Sequence, residues 1–327
     1  MSPRAGLRRR RWNQRGAALL IAMLTVALVA TLASAALWRQ WRNVEVESSE
    51  RSRMQAVWIL GGALDWARLI LREDARSGGP DHLGEPWSVP LQESRLSAFL
   101  AVDKQRTDDS EQVFLSGLIT DAQAHMNIRN LVADGKVSEP DQQAFGRLFE
   151  LLGLDPSEVD AIAANLVLAL NPDAESSKDS PVPLLPRRLE QLRWLGLSEP
   201  SLLVLRPYIT VLPGRSSLNL NTASAEAIAA SMPGLDLTDA RRVVSARERA
   251  AFRTLADVAR ALPPGMAAPE LARFSVVTRY FEVRGRLRME QLVVEERSLL
   301  FRNGMEVNTL WRERVTNELA RAPGPTR

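Results

Sequence analysis

The chain has 327 residues, with 42 basic residues against 39 acidic ones, two histidines and no cysteine. Six of the arginines fall in residues 1–16, so residues 17–327 carry 36 basic against 39 acidic residues, a net charge of −3 that gives no general attraction for nucleic acid or anionic lipid. Disulfide stapling and thiolate chemistry are excluded, and the length beyond the first apolar segment calls for two or three units that rest on their cores.

The first element is an uncharged run of 22 residues, Ala17 to Trp38, preceded by Arg4, Arg8, Arg9, Arg10, Arg11 and Arg15. As a helix it spans about 33 Å, enough to cross a hydrocarbon core of about 30 Å. The basic flank stays cytoplasmic, which places everything after Trp38 across the inner membrane of a bacterial cell. Three readings of the segment are open. It is a plain uncut anchor, a signal peptide cut after Ala33-Ser34-Ala35, or a segment processed at the Arg15-Gly16 junction. A cut after Ala35 falls inside the apolar run rather than after it.

The Arg15-Gly16 junction ahead of Ala17-Ala18-Leu19-Leu20-Ile21 resembles the cleavage site of type IV prepilins and type II secretion pseudopilins. In that family a prepilin peptidase in the membrane cuts after the glycine and methylates the new amino terminus, which here implies Gly16 as the last leader residue and Ala17 as the methylated one. Most members carry Glu at the fifth mature position, where its carboxylate meets the amine of a neighbouring subunit; here that position is Ile21. A buried carboxylate without a partner is costly, so the resemblance implies a subunit with no neighbour ahead of it. The family member without this Glu is the K-class minor pseudopilin (GspK family), found at the tip with I- and J-class partners and, by the same resemblance, the H class.

Arg39 to Arg72 contains no proline, and Met54, Val57, Trp58, Leu64, Leu69 and Leu71 recur at helical spacing, so the membrane helix continues as an amphipathic one, interrupted at most by Gly61-Gly62 and ended by Ser77-Gly78-Gly79-Pro80. His82, in a segment Asp81–Trp87 that resembles one in K-class proteins, has no partner at metal-ligand spacing. Gln112–Thr120 reads as a strand. Met126-Asn127-Ile128-Arg129-Asn130 is a looser version of a family stretch, with Asn127 in a local capping role, and His125 pairs with no serine nucleophile.

From Val132 to Arg273 the pattern is mostly helical, and Asp155-Pro156-Ser157-Glu158 reads as a helix start. The loop Asn171–Pro181 breaks the run. K-class relatives have a calcium-associated acidic loop near this point, which implies Asp173, Glu175 and Asp179 as oxygen ligands; Lys178 within the loop and the lack of EF-hand spacing favour a solvated linker instead. Next, Ser217–Ser224, Met232-Pro233-Gly234-Leu235 and Ala240–Arg247 resemble a helix-hairpin-helix (SAM-like) unit with Asn221 or Thr222 as a cap. Such hairpins often bind DNA through two turn glycines, but the second glycine position holds Asp236, whose charge repels phosphate. After Arg273, alternation at Phe274, Val276, Thr278 and Tyr280 and later at Leu287, Met289, Leu292 and Val294 predicts two or three antiparallel strands, joined near Arg284-Gly285 and Arg302-Asn303-Gly304.

The fold class expected is α+β: a pilin-like fold, in which a long N-terminal transmembrane and amphipathic helix packs on an antiparallel sheet, with an inserted mostly α-helical domain. The expected divisions are a leader at 1–16, a transmembrane helix at 17–38, pilin-like residues 39–120, an inserted domain at 121–273 with its hairpin unit at 217–260, C-terminal strands at 274–315 and a disordered tail at 316–327. The expected function is a non-enzymatic minor pseudopilin, single-pass in the inner membrane with its globular region in the periplasm and without a nucleic-acid partner. The alternative from another class is a membrane-tethered periplasmic DNA-binding protein that uses the hairpin, as in natural competence.

Overall fold

The computed structural model describes residues 15–96, 113–171, 182–266, 273–289 and 292–315. Two compact units divide between Trp58 and Ile59. The division falls inside the first helix, α1 (Arg15–Ser77).

In the first unit every residue from Ala17 to Glu50 is exposed, and the stretch is apolar and long enough to cross a membrane. Two of its hydroxyls do not stay unpaired: Thr25 and Thr31 donate to the carbonyls of Ala22 and Leu28 at 2.9 and 2.8 Å. The Trp38 and Trp41 rings lie 5.8 Å apart, where charged residues begin, which is where amphipathic indoles settle at a membrane surface. Beyond them Arg51 pairs with Glu47 and Arg53 with Glu50 along the helix, as a water-exposed stretch does.

The second unit begins with the rest of α1. Leu60, Leu64, Ala67 and Leu71 are buried at spacings of four, three and four, which puts them on one face. The helix ends at Ser77 because Gly78 takes φ +67°, after which Gly79 and Pro80 lead the chain away. A 3-10 turn at Pro86–Ser88 precedes β1 (Leu91–Arg95), and β2 (Val113–Asp121) comes next. The chain then leaves the sheet for short pieces β3 (Met126–Asn127), β4 (Val132–Ala133) and β5 (Lys136–Val137), and helices α2 (Glu139–Leu151), α3 (Ser157–Leu170) and α4 (Glu199–Leu205). After β6 (Ile209–Thr210) and β7 (Leu218–Asn219) come α5 (Ala225–Ser231), α6 (Leu237–Arg249), α7 (Leu255–Ala261) and β8 (Phe274–Ser275). It returns as β9 (Tyr280–Met289), β10 (Leu292–Asn303) and β11 (Glu306–Val315).

The main sheet is antiparallel, in the order β1-β2-β9-β10-β11. Its core against α1 holds Leu64, Ala67, Leu71, Trp87, Ile119, Phe281, Val283, Leu300 and Val307. Trp87 meets Phe281 edge to face, with centroids 5.3 Å apart. Gly117 and Gly285 stand opposite each other on β2 and β9, and a Cβ at Gly285 would come within 3.1 Å of the Leu60 side chain. Glycine there gives Leu60 room on the sheet. A second, larger core fills the helical block and includes Phe145, Leu148, Ile162, Leu166, Leu192, Leu220, Ile228 and Val243.

Three expectations change. Arg284-Gly285 is no turn but lies mid-strand in β9, where the flat glycine is needed for packing. Phe274 does not begin a strand of the main sheet; β8 pairs in parallel with β7, and Phe274 sits in the helical core. On α1, which runs through Gly61-Gly62 without a break, Leu64 and Leu71 are buried as expected, together with Ala56, Leu60 and Ala67, but Met54, Trp58 and Leu69 are exposed. The hairpin at Asn303-Gly304 is present, with Gly304 at φ +56° between β10 and β11.

These two kinds of position on α1 separate energetically. Leu71→Ala removes a fully buried side chain and is expected to lower unfolding stability by about 2–5 kcal/mol. Leu69→Ala changes an exposed one and should stay within about 0.5 kcal/mol. Urea denaturation of the two variants checks this, and equal losses would show that the helix packs by another face.

Candidate assembly site

Where β2 ends and the helical block begins, buried polar residues converge. Asp121 is 3 % exposed, and its carboxylate accepts from the Gln123 N–H at 2.7 Å, Asn219 Nδ2 at 2.8 Å and the Thr222 hydroxyl at 2.6 Å. Burial pushes the Asp121 carboxyl up, while hydrogen bonds from Thr222, Thr278, Asn219 and Gln123 oppose it. Asn219 also donates to the Asp81 carbonyl at 3.1 Å and accepts from the Asn221 N–H at 3.0 Å. Asn221 then clasps Phe252 by its N–H and C=O, both at 2.9 Å. The stretch Leu218-Asn219-Leu220-Asn221-Thr222 thus alternates, its leucines in the helical core and its polar side chains toward this junction.

A second knot sits beside the first. Arg302 of β10 donates to Asp74 at the end of α1 at 2.5 Å, to the Thr278 carbonyl at 3.0 Å and to Asp81, with its guanidinium 4.7 Å from the Phe281 ring centre. Asp81 also accepts from the Thr278 N–H at 2.7 Å, and its own N–H donates to the Val276 carbonyl at 2.9 Å. Glu85 lies close by, accepting from the His82 N–H at 2.9 Å and Trp87 Nε1 at 2.8 Å. Ligand oxygens of Asp74, Asp81 and Glu85 fall within 4.8 Å of one another, but Arg302 already stands between two of them, so the group reads as an ion-pair knot.

The hairpin is built from α5, the Met232-Pro233-Gly234 turn and α6. Its cap is Ser224, which accepts from the Ala227 N–H at 3.1 Å, and not Asn221 or Thr222, whose side chains are spent on the junction. Asp236 caps α6 by accepting from the Asp239 N–H at 2.7 Å, so a carboxylate already occupies the position a phosphate would need. Arg247 of α6 donates to the Leu220 carbonyl at 2.6 Å, and burial lowers its pKa to about 10. The hairpin is fastened to the junction.

The other predicted residues fall in separate places. Ala17 and Ile21 are exposed residues of α1 in the first unit, with Gly16 just before them. Asp173, Glu175 and Asp179 lie outside the described residues. His82 accepts from the Gly84 N–H at 3.1 Å, a local turn contact, and burial lowers the pKa of His125. Asn127 caps the 3-10 turn Ile128–Leu131 by accepting from the Arg129 N–H, and also reaches Gly214 and Leu212. Asp81 and Arg302 were not legible as partners, because 221 residues separate them.

A long apolar N-terminal helix on an antiparallel sheet with a helical insertion is the build of a pilin-like subunit. Two family models for type II secretion system protein K match residues 124–214 and 218–276. A type II secretion system protein K from Pseudomonas aeruginosa is 29 % identical over 294 residues, covering 84 % of each chain. One from Pectobacterium carotovorum is 27 % identical over 333 residues, covering 93 % of this chain and 97 % of its own. Among solved structures, a chain of the GspK-GspI-GspJ complex from the enterotoxigenic Escherichia coli type 2 secretion system is similar in fold, with a TM-score of 0.61 at 18 % identity over 82 % of this chain and 99 % of that one. The protein is a minor pseudopilin of type II secretion. The likeness throughout is to type II secretion system protein K. The DNA-binding alternative gains no support from these likenesses.

The ion-pair knot has a pH signature. Burial pushes Asp81 up to about 6 against the Arg302 charge, and pushes Glu85 up to about 7 against its bonds from His82 and Trp87, with the Asp74 and Asp81 charges adding to the rise. An acid whose folded pKa exceeds its unfolded one holds its proton more tightly when folded, so the stability it contributes is full below the ordinary values of 3.8 and 4.5 and is lost as pH rises through about 6 and 7. Glu85→Gln, which keeps an acceptor for Trp87, should flatten that part of the stability profile between pH 4.5 and 7. Denaturation midpoints across this range decide it; a slope equal to the parent's would refute the assignment.

Proposed function

We propose that this chain is processed after Gly16, N-methylated at Ala17 and placed at the tip of the type II secretion pseudopilus, held by one span in the inner membrane with its globular unit in the periplasm. It works by assembly and carries out no reaction. The observation that carries the reading is Ile21: the fifth residue after Gly16 offers no carboxylate, so the amine of a further subunit would find no counter-charge in the bilayer. The helical insertion is carried between β2 and β9, and on this reading its bulk obstructs a further subunit.

The mature amino terminus is the direct test. Co-expression with a prepilin peptidase should yield a chain beginning at N-methylated Ala17, read by mass spectrometry, and Gly16→Glu should abolish processing. A start at Ala36 would sink the proposal in favour of a signal peptide.

The complex that contains the similar solved chain also contains GspI and GspJ. The corresponding partners are proposed here: I- and J-class minor pseudopilins, one copy of each, with the H class below them. Co-purification should give a defined heteromer with no polymer of this chain alone. Cross-links that placed it at regular intervals along a filament shaft would contradict the tip assignment.

A further inference from the structure

A cleft of about 360 Å³ opens between the helical block and the start of β9, with Gln123, a donor to Asp121, in its lining. Its charge is one-sided. Arg215, Arg273 and Arg279 line it, and Asp141 is the one carboxylate among its described lining residues. That carboxylate is already engaged: it accepts from Arg215 Nη2 at 3.0 Å and from the Ser138 hydroxyl at 2.6 Å, and stands 3.9 Å from Arg273 Nε. The Arg279 guanidinium lies 5.3 Å from the Phe301 ring centre and pairs with no carboxylate among the described residues. Arg147, near Arg273, has its Nη2 buried without a hydrogen-bond partner, and burial together with the Arg273 charge lowers its pKa against the Glu150 charge.

Hydroxyls complete the lining. Ser216 accepts from Asn127 Nδ2 at 3.0 Å, Ser217 from Gln123 Nε2 at 3.4 Å and Ser275 from the Val277 N–H at 3.0 Å. Each uses its oxygen on the protein and donates to no described protein group, which leaves three O–H protons for a guest. Arg215 already gives Nη1 to the Asn130 and Val132 carbonyls at 2.9 and 3.1 Å, and Arg273 gives Nη2 to the Pro140 carbonyl at 3.4 Å, so the Arg279 guanidinium leads the donor set left for an oxyanion, and charge-assisted bonds to Arg are the strong ones.

We propose that this cleft binds an oxyanion, a carboxylate or phosphate group, bridging the helical block through Arg215 and Arg273 to the sheet through Arg279. The group comes from a free polyanion or from an acidic side chain of a partner polypeptide; the chemistry is shared and the test separates the sources. The site does not depend on the tip assignment, because its readout is anion binding by the isolated protein.

The experiment is calorimetry and thermal unfolding of the full chain in detergent with citrate, inorganic phosphate and an N-acetylated triglutamate peptide, against sodium chloride at equal ionic strength. At least one oxyanion should bind and raise the melting temperature beyond chloride. Losing one charge-assisted bond in Arg279→Gln should weaken that binding by about tenfold. Arg273→Gln should act likewise, while Arg279→Lys keeps part of the affinity. Binding of the peptide without citrate or phosphate identifies an acidic polypeptide as the source, and the reverse identifies a free anion. Oxyanions that do no more than chloride overturn the proposal, and that comparison needs only the unaltered chain. Full affinity in both glutamine variants overturns it too.

Discussion

The second unit depends on Arg302. This one guanidinium, on β10, is where the last turn of α1, the segment just after it and the chain returning from the helical block are brought together, through Asp74, Asp81 and the Thr278 carbonyl. Arg302 is 8 % exposed and Asp81 2 %. A charge this far from water is tolerable only with partners, and removing one member of a buried pair costs about 3–5 kcal/mol because the other stays behind uncompensated. The planar fork of arginine reaches two carboxylates and a carbonyl at once, which a lysine ammonium does not reproduce with the same geometry.

Such a knot is a poor source of net stability, since desolvation consumes much of what the ion pairs return. Its effect is on geometry. Apolar contact between α1 and the sheet is non-directional, so Leu60, Leu64, Ala67 and Leu71 would tolerate small slides along β2 and β9. The Asp74–Arg302 pair, with Arg68 donating to the Val307 carbonyl at 2.9 Å, pins the helix lengthwise to β10 and β11. Burial fixes which face is inside; the polar contacts fix the register.

Legibility in the sequence tracks the range of each interaction. Elements governed by neighbours came through: the charge-free run after Ala17, the Ser77-Gly78-Gly79-Pro80 stop, the Asp155-Pro156-Ser157 start, where Asp155 accepts from the Ser157 N–H at 2.9 Å, and the Asn303-Gly304 hairpin. Features set by distant partners did not. Gly285 looks like a turn until Leu60 is known to lie on it, and Thr222 looks like a cap until Asp121, 101 residues earlier, is known to take its hydroxyl. The buried face of α1 was half legible, because Met54, Trp58 and Leu69 are as apolar as the residues that pack and only the sheet distinguishes them. Of the candidate site, the Asn219–Thr222 stretch was visible as the start of a hairpin that is present, but Asn221 and Thr222 were misread as its cap, when their polar side chains seal the junction and Ser224 does the capping.

The insertion can be large without disturbing the sheet because its ends are neighbours. Asp121, the last residue of β2, stands opposite Phe281 near the start of β9, so the chain leaves and returns across a single strand pair. The entropy of closing such a loop grows only with the logarithm of its length, so the block is cheap to accommodate but would be free to swing on two adjacent strand ends. The hydrogen bonds from Asn219 and Thr222 to Asp121, and from Asn219 to the Asp81 carbonyl, remove that freedom, each contributing about 1 kcal/mol net while constraining direction. Sheet and helical block accordingly form one compact unit from Ile59 onward. In the proposed tip position this rigidity would matter more than the stability it adds, because bulk obstructs a further subunit only when it cannot turn aside.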